Sequence, residues 1–180
     1  MTEAFDSQDE EIRLHWWGRR HRLMFTGELS QRYHRKRERF FALLDRLAKA
    51  VAVLGGTTAA ARAMQGDAAV VAGLVVAVSS AFALVFAWGD AARRHGELAA
   101  DFARLLSTVA AKGETTFQAK DMDEFESKLH ELAAKEPAQM SALVRIVHNE
   151  MCRARNEETK PLLFYKRYTA HLIDWQLTGD

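Results

Sequence analysis

The sequence predicts an all-α protein: a two-span transmembrane helical hairpin with a basic N-terminal helix and a C-terminal cytosolic helical bundle. Three observations carry this expectation. Residues 68 to 88, AAVVAGLVVAVSSAFALVFAW, contain no Asp, Glu, Lys or Arg. A dense cluster of cations precedes the apolar part of the chain, and apolar residues beyond it recur at helical steps with no alternating strand pattern. With 180 residues the chain divides naturally into a basic helical region at 1–39, a membrane hairpin at 40–88 and a helical extension and bundle at 89–180.

The N-terminal region opens on Ser7-Gln8-Asp9-Glu10, which has the S-x-x-E form of a capping box and predicts a helix start there. Trp16 and Trp17 follow, beside Arg19 and Arg20. Indole next to arginine suits a membrane interface, and two tryptophans in a helical core fit the same residues equally well. From Arg13 to Arg39 there are nine Lys and Arg, including Arg35, Lys36 and Arg37, against only Glu28 and Glu38. Such a cluster can neutralise nucleic-acid phosphates. Its place just ahead of an apolar segment favours a positive-inside flank instead, and no nucleic-acid partner is expected.

The first span, 40–64, is the weaker of the two. Lys49 and Arg62 lie about 20 Å apart on a helix, so both must snorkel to reach headgroups. Its middle, Gly55-Gly56-Thr57-Thr58, suits either close helix packing or a wet lumen. A turn centred on Gln65-Gly66-Asp67 makes the two spans antiparallel.

The second span has the stronger signal. As a helix, 68–88 covers about 30 Å, the thickness of a bilayer's hydrocarbon core. Ten of its residues are Val, Leu or Phe, which together favour insertion by roughly 3 to 6 kcal/mol. A wholly buried central helix of a soluble bundle is the competing explanation. Gly73, Ala77 and Ser80 form a small-residue stripe, and Ser79 and Ser80 are further candidates to face a lumen. Arg93 and Arg94 flank the far end, so both termini are expected in the cytoplasm.

Beyond the spans the helix is expected to continue through His95, Leu98, Phe102, Leu105 and Val109, a seam of alternating steps of three and four, until Lys112-Gly113. A helix from Asp121 to about Pro137 follows, with Met122, Phe125, Leu129 and Leu132 along one face. A third is expected over about 138–158. A fourth, after Pro161, should place Tyr165, Tyr168, Leu172 and Trp175 on a shared side.

Chemistry is sparse. Seven histidines show neither H-E-x-x-H nor Glu-x-x-His spacing, and one cysteine, Cys152, builds neither a zinc knuckle nor an internal disulfide. No phosphate loop or nucleophile elbow is present. The first thirty residues have no apolar signal-peptide core, so a cleaved signal is not expected. His148-Asn149-Glu150 with Cys152 is the densest polar group, a candidate for signal binding or for tying one helix to its neighbours. Catalysis by a His148–Cys152 pair lacks any oxyanion-binding loop. Neither an enzyme nor a cofactor or metal is expected.

The order of parts, a basic N-terminal helix, two close spans, an R-R-H-x-x-L helix at Arg93 to Leu98 and a helical tail, resembles the SLATT superfamily of bacterial two-helix membrane proteins. The likeness covers roughly Trp16 to Val109. It departs from that pattern in its polar first span and in having no fused sensor domain. The resemblance implies an inner-membrane effector of a phage-defence or conflict system, a regulated homo-oligomeric pore that depolarises the membrane. It also implies a separately encoded sensor or nucleotide-signal protein as a partner. A non-conducting scaffold that recruits a cytosolic protein through its helical tail accounts for the same residues.

Overall fold

In the computed structural model one helix, α1, runs unbroken from Thr2 to Gly56. The model describes residues 2–56, 67–113 and 118–177. Ser7 therefore lies inside α1 instead of starting it, since Thr2-Glu3-Ala4 extends the helix another turn. The helix also passes through residue 39 without a break. The reason is local: no Gly or Pro occurs between Gly27 and Gly55, and Glu28–Arg32 at 2.7 Å and Asp45–Lys49 at 2.6 Å brace the helix one turn apart.

Five more helices follow among the described residues: α2 (Asp67–Phe86), α3 (Trp88–Ala111), α4 (Ala119–Lys135), α5 (Ser141–Ala154) and α6 (Phe164–Thr169). The described chain is thus all-helical. The expected continuation of the second apolar helix into the seam helix breaks at Ala87, whose φ of 41° is left-handed. Its carbonyl accepts from Asp90 N at 2.9 Å and Ala91 N at 3.0 Å, starting α3 afresh. The last two helices are shorter than the periodicity suggested. α6 ends at Thr169, so Leu172 and Trp175 lie beyond it.

The chain packs as two units, 1–35 with 97–180 and 36–96. In the first, residues of the N-terminal helix form a wall of the bundle. Leu23 joins Leu105, Val109, Met122 and Phe125 in one core cluster, and Tyr33 joins Leu143, Val147, Met151 and Ala170 in another. Each buried Val, Leu, Met or Phe among them contributes about 1.5 to 3 kcal/mol. On α1, Leu23, Gly27, Ser30 and His34 are buried at steps of four, three and four. Gly27 meets α3 so closely that a Cβ there would lie 2.9 Å from Leu106.

Helix ends in this unit are chemically explicit. Gln118 N donates to Asp121 Oδ2 at 3.2 Å, so Asp121 reaches back from the first turn of α4. α5 closes with Asn156 at φ 57°, Asn156 N donating to Arg153 O and Glu157 N to Cys152 O. That is the six-to-one, five-to-two pattern of a Schellman cap, with Asn in the usual glycine position.

The second unit pairs the end of α1 with the start of α3 and carries α2. A Cβ on Gly96 would lie 3.0 Å from Glu38, and one on Gly89 3.3 Å from Asp45. The two close approaches are seven residues apart on both helices, which fixes an antiparallel α1–α3 seam here. Buried His95 stacks on Phe41 between them, with ring centroids 5.6 Å apart.

Candidate functional site

The most unusual surface belongs to α2. Val70, Val71, Leu74, Val75, Val78, Phe82, Val85 and Phe86 are all exposed, from 46% for Val78 to 77% for Val85. Leu43, Leu47, Val53 and Leu54 add exposed apolar area on the same unit's part of α1. The stacked rings of Phe82, Phe86 and Trp88 end the apolar stretch. Among the described residues no helix is long and apolar enough to cross a membrane. The side chains at 68, 69, 72, 83 and 84, within α2, lie outside the described residues.

The sequence-predicted pore or packing residues fall into three groups. Thr57 and Thr58 lie outside the described residues, as do the surroundings of Gly55 and Gly56 at the end of α1. Gly73 opens onto space with nothing within 4 Å of an added Cβ, and Ala77 is exposed, so among the described residues no helix covers the small-residue stripe there. Ser79 and Ser80 are half-buried. The Ser79 hydroxyl donates to Val75 O and Val76 O of its own helix, which satisfies it without a lumen. Lys49 holds Asp45 at 2.6 Å, a neutral pair that lowers the charge carried by the first span.

The interfacial residues divide as well. Trp16 takes the core alternative, packed against the Leu23–Phe125 cluster. Arg19 lies 5.0 Å over its ring and bonds Glu126 through Nε and Nη2, at 3.0 and 2.5 Å, and Asp123 at 2.9 Å. Arg19 thus fastens α1 to α4. Trp17 is exposed and stacks on His21. Arg20 and Lys36 are half-buried and Arg35 is exposed. Arg37 lies 4.5 Å over Phe41, and exposed Arg93 pairs with Asp90 at 3.0 Å while Arg94 is exposed beside it.

In the His148 group, buried Asn149 donates to Lys160 O at 2.5 Å and accepts from Lys160 N at 3.1 Å. It holds the 155–163 connection onto α5. His148 packs edge-on against Phe25 and reaches Cys152 at 3.5 Å, while Glu150 is half-buried. Burial pushes the Cys152 thiol up, and Glu157 adds to that, so the thiolate a nucleophile needs is disfavoured. Among the described residues no group of three or more His, Cys, Asp or Glu could hold a metal ion.

Sequence reasoning missed the Arg19 clasp and the buried His34–Glu136 pair, at 3.5 Å with His34 stacked on Phe102. Burial alone would raise the Glu136 carboxyl; bonds from His34, Gln139 and Ser30 outweigh it and hold the group below the ordinary range. The available signal was the four-three-four spacing of Leu23, Gly27, Ser30 and His34, hidden inside a charge run.

No family model, curated protein or solved structure matches this chain.

Proposed function

We propose that the chain is an oligomeric inner-membrane protein that inserts a two-helix hairpin, keeps both termini in the cytoplasm and acts as a regulated pore. The observation that carries the membrane part is the outward display of eight large apolar side chains on α2. Soluble monomers seldom expose contiguous apolar area on this scale. The competing buried-helix explanation needs the opposite burial. Over the full sequence 68–88 is uncharged, and the cations lie outside both of its ends.

Assembly through the Gly73–Ala77 stripe, which no described residue covers at Gly73, lets copies approach closely. The pore activity, the defence setting and a separately encoded sensor or nucleotide-signal partner follow from the resemblance to the SLATT superfamily. Ser80 with Thr57 and Thr58 are the candidates to line the lumen. A second reading, a non-conducting scaffold, is favoured by one observation: the Ser79 hydroxyl is already bonded to its own backbone.

Two measurements separate these. Alkaline-carbonate extraction of expressed protein tests insertion, with release into the soluble fraction overturning the hairpin. Ion flux from the purified chain in liposomes then tests conduction. An inserted chain without flux leaves the scaffold.

A further inference from the structure

Outside the hairpin, the structure carries a second apolar surface, around α6. Leu163, Phe164, Tyr165, Tyr168, Leu172 and Ile173 are exposed, Phe164 at 76% and Tyr168 at 82%. These are not residues of a loose end. Ala170 is fully buried, Leu162 and Trp175 pack on the Tyr33–Met151 cluster, and Trp175 Nε1 donates to Thr169 Oγ1 at 2.8 Å. The inner side of the segment is thus anchored while its outer side presents rings and branched chains.

Charge identifies what this surface fits. Residues 159–173, TKPLLFYKRYTAHLI, hold Lys160, Lys166 and Arg167 and no carboxylate. Lys160 and Arg167 are exposed and Lys166 is half-buried. The flanking acids are Glu157 and Glu158 on one side and Asp174 on the other, and Asp174 Oδ1 already accepts from Ser141 N at 3.0 Å. Exposed Tyr and Phe interleaved with cations match a bilayer interface, where rings sit at headgroup depth and cations meet lipid phosphates.

We propose that the α6 surface docks on an anionic lipid headgroup layer, as a membrane contact separate from the hairpin. It goes beyond insertion and needs only a bilayer within reach, which the proposed hairpin supplies. Each exposed cation near an anionic surface multiplies docking roughly five-fold, the equivalent of about 1 kcal/mol. Reversing two of them should therefore remove most of the docked population.

The test uses the full chain with an environment-sensitive fluorophore on Leu172→Cys. Buried Cys152 makes unmodified protein the labelling blank. In phosphatidylcholine vesicles containing phosphatidylglycerol the emission should shift to the blue. The shift should be small in phosphatidylcholine alone, fall as salt is raised and vanish in Lys160→Glu/Arg167→Glu, a variant that changes two exposed side chains and leaves the backbone bonds of residue 160 to Asn149 in place. Phe164→Ser/Tyr168→Ser should reduce it while leaving helix content unchanged.

An equal shift in neutral vesicles overturns the proposal, as does no shift in either. A shift in lipid-free detergent that grows with protein concentration also overturns it, because a second copy then covers the surface. Carbonate extraction keeps the two membrane readings apart. A carbonate-resistant chain without the shift loses this contact alone. A strippable chain that still shifts on added anionic vesicles keeps it and loses the hairpin.

Discussion

At the scale of single residues, two polar contacts hold the bundle's register and each has a measurable signature. Tyr33 is 1% exposed, and its hydroxyl accepts from Met140 N at 3.0 Å, at the start of α5. Tyr33→Phe keeps the ring and strands that amide. The expected loss is about 1 to 2 kcal/mol in thermal or denaturant unfolding, with unchanged helix content. Arg19 gives a pH signature. Its bonds hold the Glu126 carboxyl below the ordinary range, against the opposing effect of burial. A depressed carboxylate stabilises the fold fully above the unfolded value of about 4.3 and loses that contribution as pH falls through the lower folded value. Arg19→Met should be less stable than the parent at neutral pH. Its deficit should narrow on acidification below about pH 4, because Glu126 becomes protonated in both chains. Unfolding midpoints followed from pH 7 to 3 read this directly, and a deficit independent of pH would mean that Arg19 acts by packing alone.

At the scale of elements, the α1–α3 pairing in the second unit depends on the absence of side chains at two points. Gly96 costs α3 about 1 kcal/mol of helix propensity relative to Ala. In exchange it admits Glu38 at the 3.0 Å where a Cβ would lie. Gly96→Ala should be near neutral, since the flexible end of Glu38 can move. Gly96→Leu should destabilise the unit by about 1 to 3 kcal/mol, the usual range for overpacking, measured as a lowered unfolding midpoint. Helices of this kind were legible where burial has a helical period: His95, Leu98, Phe102, Leu105 and Val109 are all buried as the seam requires. Met122 and Phe125 on α4 are buried likewise. The continuity of α1 was not legible, because a capping box and a charge run both look like boundaries when only local chemistry is read. Nor was the break at Ala87, since alanine carries no turn signal and ordinarily avoids a left-handed φ. The His148 group was visible as a dense polar patch. Its use was not, because the partner of Asn149 is the backbone of Lys160, eleven residues away, and a sequence shows no backbone pairing.

At the scale of the whole molecule, the decisive question is which medium meets the exposed face of α2, and a charge placed on that face answers it. Leu74 and Val78 lie one helical turn apart and are 63% and 46% exposed, so a long side chain at either fits without disturbing a core. In water, arginine there would be harmless and would raise solubility. In hydrocarbon, each arginine opposes insertion by about 2.5 to 3.5 kcal/mol, against a favourable total of roughly 3 to 6 from the Val, Leu and Phe residues of the run. Removing two of those apolar groups lowers that total further. A single Val78→Arg should therefore leave a mixed population, and Leu74→Arg/Val78→Arg should abolish insertion. The expected result is a stepwise fall in the carbonate-resistant fraction from parent to single to double variant, with ion flux falling in parallel if the protein conducts. Because the core clusters of the other unit are built without residues 74 and 78, the bundle in the extracted double variant should keep the parent's protease-resistant pattern. A double variant that fractionates and extracts like the parent would place α2 against protein or water and end the hairpin reading.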